Sequence, residues 1–132
     1  MTTVLFACVH NAGRSQMAAA LFNALADPRK ARAVSAGTAP IDRVHPEVVA
    51  AMQETGIDLS GARPQQLTPE LASGVHMLVT MGCEDECPVV PGVARDDWPL
   101  EDPKGKPLAD VIRIRDEIRT RVVDLLDRNG WR

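Results

Sequence analysis

Short apolar segments alternate with segments of helical character along the chain. Apolar residues predict a first strand at about residues 2–7 and a second at 32–37. A third strand is predicted at 75–81, where the apolar run is almost continuous and suits a sheet covered on both faces. A weaker fourth strand is predicted within 93–97. Because helical segments separate these strands, the pattern indicates an α/β fold with a parallel sheet.

The helices between the strands have recognisable starts and ends. Residues 16–22 are mostly good helix formers, and this helix is predicted to end near Ala26, where Asp27-Pro28 follows. Pro46 suits the start of a second helix. Thr68-Pro69-Glu70 predicts a third, short helix with a threonine cap, a proline in the first helical position and an acid in the first turn.

The last helix is predicted to open at Pro107 and to end at Gly130. Apolar positions spaced by three and four residues mark its buried face: Val111, Ile114 or Arg115, Ile118, Val122 and Leu125. Its opposite face carries charges that are interpreted as a solvated surface. With helices on both faces of a four-stranded parallel sheet, the chain is predicted to be a three-layer α/β sandwich forming a single domain over residues 1–132.

The loop after the first strand carries the most informative chemistry. Cys8 stands first in this loop, and Arg14 and Ser15 stand where the helix begins. A loop that closes onto a helix N-terminus directs backbone N–H groups inward and binds a tetrahedral oxyanion. The predicted oxyanion cradle consists of Val9, His10, Asn11, Ala12, Gly13 and Arg14, whose guanidinium can grip two oxygens.

The inward N–H groups, the helix N-terminus and the Arg14 guanidinium create a positive electrostatic field, which also stabilises a thiolate at Cys8. A hydrogen bond from the Ser15 hydroxyl to the Cys8 sulfur would add to that effect. The loop is therefore predicted to supply a nucleophile together with the cradle for its target. The alternative is a buried cysteine that packs as a small hydrophobe beside a solvated arginine. His10 is predicted to shape the loop or face solvent, and His45 is interpreted as a surface turn residue.

Composition limits the possible partners and compartments. The chain has 132 residues, of which 45% are apolar and 25% charged, with a net charge of −3. This balance argues against nucleic acid or an anionic membrane as a partner. No segment resembles a signal peptide or a membrane span, and a cytoplasmic monomer is expected. Three cysteines, an odd number, favour reactive thiols over a disulfide framework.

A second candidate group lies at the same edge of the predicted sheet. Gly82-Cys83 follows the third strand, and ligands of parallel sheets bind at the carboxyl ends of strands. With these residues the chain resembles the arsenate reductases built on the low-molecular-weight protein tyrosine phosphatase fold. The similar segments are Cys8–Ala18, Ser35–Gly37, Thr80–Cys83 with Cys87-Pro88, Trp98–Pro103 and Val111–Ile118.

The resemblance implies a mechanism without a cofactor. Cys8 would attack the arsenic of arsenate held by the loop amides and Arg14, in a cradle that phosphate or sulfate can also occupy. Asp102 would protonate the leaving oxygen. Cys83 would then attack Cys8, and arsenite would leave with two electrons. Cys87 would finally form a Cys83–Cys87 disulfide that thioredoxin reduces.

The resemblance also leaves several alternatives open. Only three residues, Glu84, Asp85 and Glu86, separate the second and third cysteines. This short spacing is compatible with a branch in which glutathione or mycothiol attacks and a glutaredoxin-like protein completes the reduction. Cys83 and Cys87 could also be bystanders or, with less support, metal ligands, and no metal site is predicted. Asp96, Asp97 and Glu101 compete with Asp102 for the role of acid.

Two further functional classes compete with a reductase. The first is a phosphatase acting on phosphotyrosine or small phosphoesters with the same loop and the same acid. The chain has no tyrosine and only four aromatic residues, which makes an aromatic-lined phosphotyrosine pocket hard to build. The second is a non-enzymatic module that binds an oxyanion or senses thiols, which would not need Asp102. Release of arsenite distinguishes the reductase from both.

Overall fold

The computed structural model describes residues 1–82 and 90–132, so the predicted roles of Cys83 and Cys87 fall outside the described residues. Eight elements follow one another along the described chain. In order they are β1 (Thr2–Cys8), α1 (Arg14–Leu25), β2 (Ala31–Gly37), α2 (Pro46–Gln53), α3 (Pro69–Ser73), β3 (Met77–Thr80), β4 (Ala94–Asp97) and α4 (Leu108–Asn129).

The four strands form one parallel sheet in the order β2-β1-β3-β4, which confirms the predicted α/β class. In this register Cys8 lies opposite Gly37 of β2, and Ala7 lies opposite Thr80 of β3. β3 is shorter than the predicted 75–81, because it pairs with the four residues of β4 and the chain turns at Gly82, where φ is +91°. The carboxyl ends of β1 and β3 are neighbours in this sheet.

Helices cover both faces of the sheet and so form the outer layers. On one face Val4 and Phe6 of β1 join a core built with the buried sides of α1, α2 and α4. Phe6 lies 5.4 Å from Trp98 and 6.0 Å from Phe22 between ring centroids. On the other face Leu5 and Ala7 pack with residues around the short helix α3. Since side chains alternate along a strand, β1 supplies both cores.

The helix ends follow the predicted signals closely. Thr68 caps α3, its Oγ1 accepting from the backbone N–H of Leu71 at 3.1 Å. Pro107 is the residue before α4 rather than its first residue, and Gly130 ends α4 in the left-handed conformation. Both candidates for the buried face of α4, Ile114 and Arg115, are buried. None of the helices in the described ranges is both long enough and apolar enough to cross a bilayer.

Candidate functional site

The loop of residues 9–13 joins the carboxyl end of β1 to the start of α1, as the sequence predicted. Its last residue, Gly13, accepts the first helical hydrogen bond from the N–H of Met17 at 3.0 Å. The first N–H groups of an α-helix have no partner within the helix and carry its positive partial charge. An oxyanion bound above this loop would therefore meet aligned N–H donors.

The Cys8 side chain lies at the end of a buried hydrogen-bond network. The residue is 2% exposed, and its Sγ lies 2.8 Å from Ser15 Oγ. Ser15 Oγ accepts from Asn11 Nδ2 at 2.8 Å, which leaves the hydroxyl hydrogen of Ser15 free to point at the sulfur. A donor aimed at the sulfur stabilises its negatively charged form.

Asn11 stabilises the conformation of the loop through both its backbone and its side chain. Its φ is +52°, in the left-handed region that asparagine enters more readily than most residues. Its Oδ1 accepts from Gln16 Nε2 at 3.2 Å and from the backbone N–H of Gln65 at 2.9 Å. The Gln65 side chain in turn donates to the Ser35 carbonyl at 2.7 Å. No local sequence pattern marks Gln65 for this role, since its contacts join segments that are distant in the chain.

Arg14 links the loop to the segment that carries Asp102. Its guanidinium donates through Nη1 to the Leu100 carbonyl at 3.1 Å, and Nη2 lies 3.7 Å from Asp102 Oδ2. The Arg14 side chain is 8% exposed whereas that of Asp102 is 43% exposed. Arg14 also borders a cavity of about 630 Å³ between the end of β3 and residues 97–100. The carboxyl group is therefore beside the cation and still open to solvent.

Asp102 also makes the turn contact expected of an aspartate before proline. Its Oδ1 accepts from the backbone N–H of Lys104 at 3.0 Å, and Oδ2 faces Arg14. One carboxyl group therefore both shapes its turn and faces the loop. The residue that follows, Pro103, lies directly against Gly13.

The three acids that competed with Asp102 have other partners. Asp96 accepts from the indole N–H of Trp98, and Asp97 is hydrogen-bonded to Thr80. The hydrogen bond with the Thr80 hydroxyl is the main reason why the pKa of Asp97 lies below its ordinary value. Glu101 forms ion pairs with Lys106 and Arg113, which lower the pKa of this carboxyl group. This arrangement favours Asp102 as the acid nearest the loop.

His45 is half-buried at the start of α2, and it contacts the loop as well as standing in the turn that the sequence indicates. Its backbone N–H donates to the Ala12 carbonyl at 3.0 Å, and its side chain lies beside Gly13. Burial lowers the pKa of His45, while the carboxylates of Asp102 and Glu47 oppose this shift. In the sequence, His45-Pro46 indicates only the start of a helix, because the approach of His45 to Gly13 depends on how α2 packs.

No ligand set for a metal is present in the part of the chain that the structure describes. Within residues 1–82 and 90–132, no group of three or more His, Cys, Asp and Glu side chains could hold an ion. Cys8 is a free thiol. The described residues therefore offer a buried thiol, the N–H groups of a helix start, a guanidinium and a carboxyl group.

Comparison with known proteins gives the family. Residues 3–129 match the family model for low molecular weight phosphotyrosine protein phosphatases. A putative arsenate reductase of Halobacterium salinarum is 40% identical over 126 residues, covering 92% of this chain and 89% of the relative.

Solved structures agree with this match. A thioredoxin-dependent arsenate reductase of Corynebacterium glutamicum is 38% identical with a TM-score of 0.82 over 96% of this chain, which spans 61% of that protein's chain. An arsenate reductase of Archaeoglobus fulgidus is 34% identical with a TM-score of 0.79, covering 94% of this chain and 98% of its own. This chain therefore belongs to the low molecular weight phosphotyrosine protein phosphatase family and is similar along most of its length to proteins named arsenate reductases.

Proposed function

We propose that this chain reduces arsenate to arsenite, with Cys8 as the nucleophile. The observation that carries the proposal is the hydrogen bond between Cys8 Sγ and Ser15 Oγ at the N-terminus of α1, beside Arg14. The names of the relatives support arsenate as the substrate. The prediction of an arsenate reductase is thus confirmed at the level of the family, and the roles of individual residues remain proposals.

In the first step the Cys8 thiolate attacks arsenic and forms a sulfur–arsenic bond. The backbone N–H groups of residues 9–14 and the Arg14 guanidinium bind the remaining oxygens. Asp102 gives its proton to the leaving oxygen, which departs as water. Its distance of 3.7 Å from Arg14 supports this role, because the carboxyl group lies near the cation that would hold the oxyanion.

In the second step Cys83 attacks Cys8 Sγ and forms a Cys8–Cys83 disulfide. The sulfur–arsenic bond breaks, arsenic keeps the electron pair, and arsenite leaves as As(III). The thiolate of Cys87 then attacks Cys83, which releases Cys8 as a thiolate and leaves a Cys83–Cys87 disulfide. The dithiol of thioredoxin reduces this disulfide and is itself oxidised. The parallel pairing of β1 with β3 supports the first exchange, since Cys83 follows β3 by three residues.

The reductant is the finer part of the proposal. Thioredoxin is favoured because a relative named as thioredoxin-dependent is similar over 96% of this chain. The alternative is glutathione or mycothiol, which would attack the arsenic adduct and pass a mixed disulfide to a glutaredoxin-like protein. The relay is proposed to operate in a monomer in the cytoplasm, where thiols are kept reduced.

A single turnover separates these routes. The reduced protein is mixed with arsenate and no reductant, free thiols are blocked, and the digest is analysed by mass spectrometry alongside an arsenite assay. We expect one arsenite per chain, a Cys83–Cys87 disulfide and a blocked Cys8. A Cys8→Ser variant should release none, and a Cys87→Ser variant should stop at the Cys8–Cys83 disulfide.

Two other results would change the assignment. Arsenite release only after addition of glutathione or mycothiol, with three free thiols before it, would replace the thioredoxin relay by the small-thiol route. Hydrolysis of a phosphoester without any arsenite release would indicate the phosphatase reaction after which the family is named. In that case Cys8, Arg14 and Asp102 would keep their roles, and Cys83 and Cys87 would have none.

A further inference from the structure

Gly82 and Arg14 approach each other more closely than any side chain at position 82 would allow. Gly82 lies two residues beyond β3, and Arg14 is the first residue of α1. A Cβ placed on Gly82 would overlap Arg14 Nη1 and would lie 3.1 Å from Cζ and 3.5 Å from Nη2. The guanidinium therefore lies directly against the backbone of Gly82.

The remaining contacts of the guanidinium come from the segment that carries Asp102. Nη1 donates to the Leu100 carbonyl, and Nη2 faces Asp102 Oδ2. Gly82 thus forms one side of a small pocket that holds the guanidinium, and residues 100–102 form the other side. This pocket is called the seat of Arg14 below. The three parts come from different regions of the chain, and the parallel sheet brings them together at the carboxyl ends of its strands.

We propose that Gly82 is a positioning residue for Arg14. The absence of a side chain at position 82 leaves the space in which the guanidinium is oriented for oxyanion binding. The proposal rests on the proposed role of Arg14 and deepens it. A guanidinium binds two oxygens of an oxyanion only when its plane is correctly oriented. A long arginine side chain has many rotamers, and a seat that limits them before binding strengthens the complex.

Backbone conformation alone does not explain this position. Gly56, Gly92 and Gly105 also have positive φ values, of +82°, +83° and +72°, and a Cβ on any of them would meet nothing within 4 Å. These three glycines share the conformational preference without the contact. Among the described residues they therefore provide matched controls, because alanine at these positions adds the strain of a positive φ and no collision.

The first test compares Gly82→Ala with Gly56→Ala in the reduced full-length protein. Binding of inorganic phosphate, used as an oxyanion probe, is followed by nuclear magnetic resonance titration. We expect Gly82→Ala to weaken phosphate binding by about tenfold or more, as loss of a charged hydrogen bond predicts. Gly56→Ala should bind phosphate as the unmodified chain does. Equal binding by the two variants would overturn the proposal.

The second test asks whether the effect passes through Arg14, and it needs neither turnover nor binding. The midpoint of thermal unfolding is measured for both glycine variants in the unmodified chain and in an Arg14→Ala background. We expect Gly82→Ala to lower the midpoint more than Gly56→Ala only when Arg14 is present. An excess loss that persists in the Arg14→Ala background would overturn the seat.

Measurement of arsenite release by the unmodified chain and by Gly82→Ala, alongside these two tests, separates this inference from the proposed function. A chain that releases no arsenite but loses phosphate binding on Gly82→Ala would contradict the reductase and still support the seat. A chain that reduces arsenate equally well with glycine or alanine at position 82 would contradict the seat alone.

Discussion

The hydroxyl group of Ser15 connects the nucleophile to the loop. It accepts a hydrogen bond from Asn11 Nδ2 and faces Cys8 Sγ, so this one side chain links Asn11 of the loop to the sulfur. Neither side chain is exposed to solvent. A hydrogen bond to a charged group is worth about 1.5–3 kcal/mol when water cannot replace it.

Replacing Ser15 by alanine should therefore slow the chemistry of Cys8. We expect a decrease of about ten- to hundredfold in the rate of Cys8 alkylation by iodoacetamide at pH 7, measured on the Cys8 peptide. Ser73→Ala provides the control, because Ser73 is also in a helix and its hydroxyl donates to the carbonyl of Glu70 in its own turn. An alkylation rate in Ser15→Ala equal to that of the control would contradict the role assigned to this hydroxyl.

His45 should make stability depend on pH through its burial beside the loop. Burial lowers its pKa in the folded chain below the ordinary value of 6.5, so the unfolded chain binds the proton more readily. The stability contributed by neutral His45 is present above pH 6.5 and is lost as pH falls through the window below it.

His45→Gln should flatten this dependence. Urea unfolding at pH 7.5, 6.5 and 5.5 should show a smaller loss of unfolding free energy in the variant than in the unmodified chain. The groups that face His45 include Asp102, Glu47, His10 and Lys104, and all of them remain in the variant. If the unfolding free energy changes equally between pH 6.5 and 5.5 in the variant and in the unmodified chain, His45 does not cause the pH dependence.

At the scale of elements, the start of α1 and the Asp102 segment touch at a glycine. A Cβ on Gly13 would lie 2.7 Å from Pro103 Cγ and 3.4 Å from its Cδ. A proline ring cannot rotate away, so the segment itself would have to move.

Gly13→Ala should move Asp102 away from the loop and slow the proposed protonation of the leaving oxygen. We expect arsenite production at saturating arsenate to fall about tenfold or more. The comparison is Gly61→Ala, whose Cβ would meet nothing within 4 Å and which should retain full activity. If arsenite production in Gly13→Ala stays within twofold of the Gly61→Ala rate, the contact with Pro103 does not position the acid.

At the scale of the whole molecule, a buried arginine joins two helices. Arg115 of α4 is 6% exposed, and its Nη1 donates to the Ala51 carbonyl near the end of α2 at 2.8 Å. Its charge also faces Glu54 and Asp116. The carbonyls in the last turn of a helix have no intrahelical partner, so the guanidinium satisfies a group that would otherwise be buried without one.

Arg115→Met should cost about 1–3 kcal/mol of unfolding free energy, because it leaves that carbonyl without its donor. Urea unfolding at pH 7 measures this loss. Arg121→Met on the same helix is the control, since its ion pair with Glu117 is partly exposed at 3.9 Å and should contribute less than about 0.5 kcal/mol. Similar losses in the two variants would mean that Arg115 acts only through its surface charges.

The sequence by itself determined the order of strands and helices, because hydrophobic periodicity and capping residues act within a few neighbouring positions. Thr68 begins α3 and Gly130 ends α4, as predicted. Cys8, Arg14 and Ser15 stand at the two ends of one short loop, so their chemistry can be read directly from the sequence. The limits of β3 were predicted less accurately, since a strand continues only where a neighbouring strand pairs with it.

Only the tertiary structure decided which distant residues meet this loop. Gly82, Leu100 and Asp102 reach Arg14 because parallel strands end at the same edge of the sheet. Gln65 and His45 reach residues 11–13 through backbone contacts made by segments far away in the chain. No local pattern encodes such contacts, because they arise from the packing of whole elements and from the absence of a side chain at a glycine.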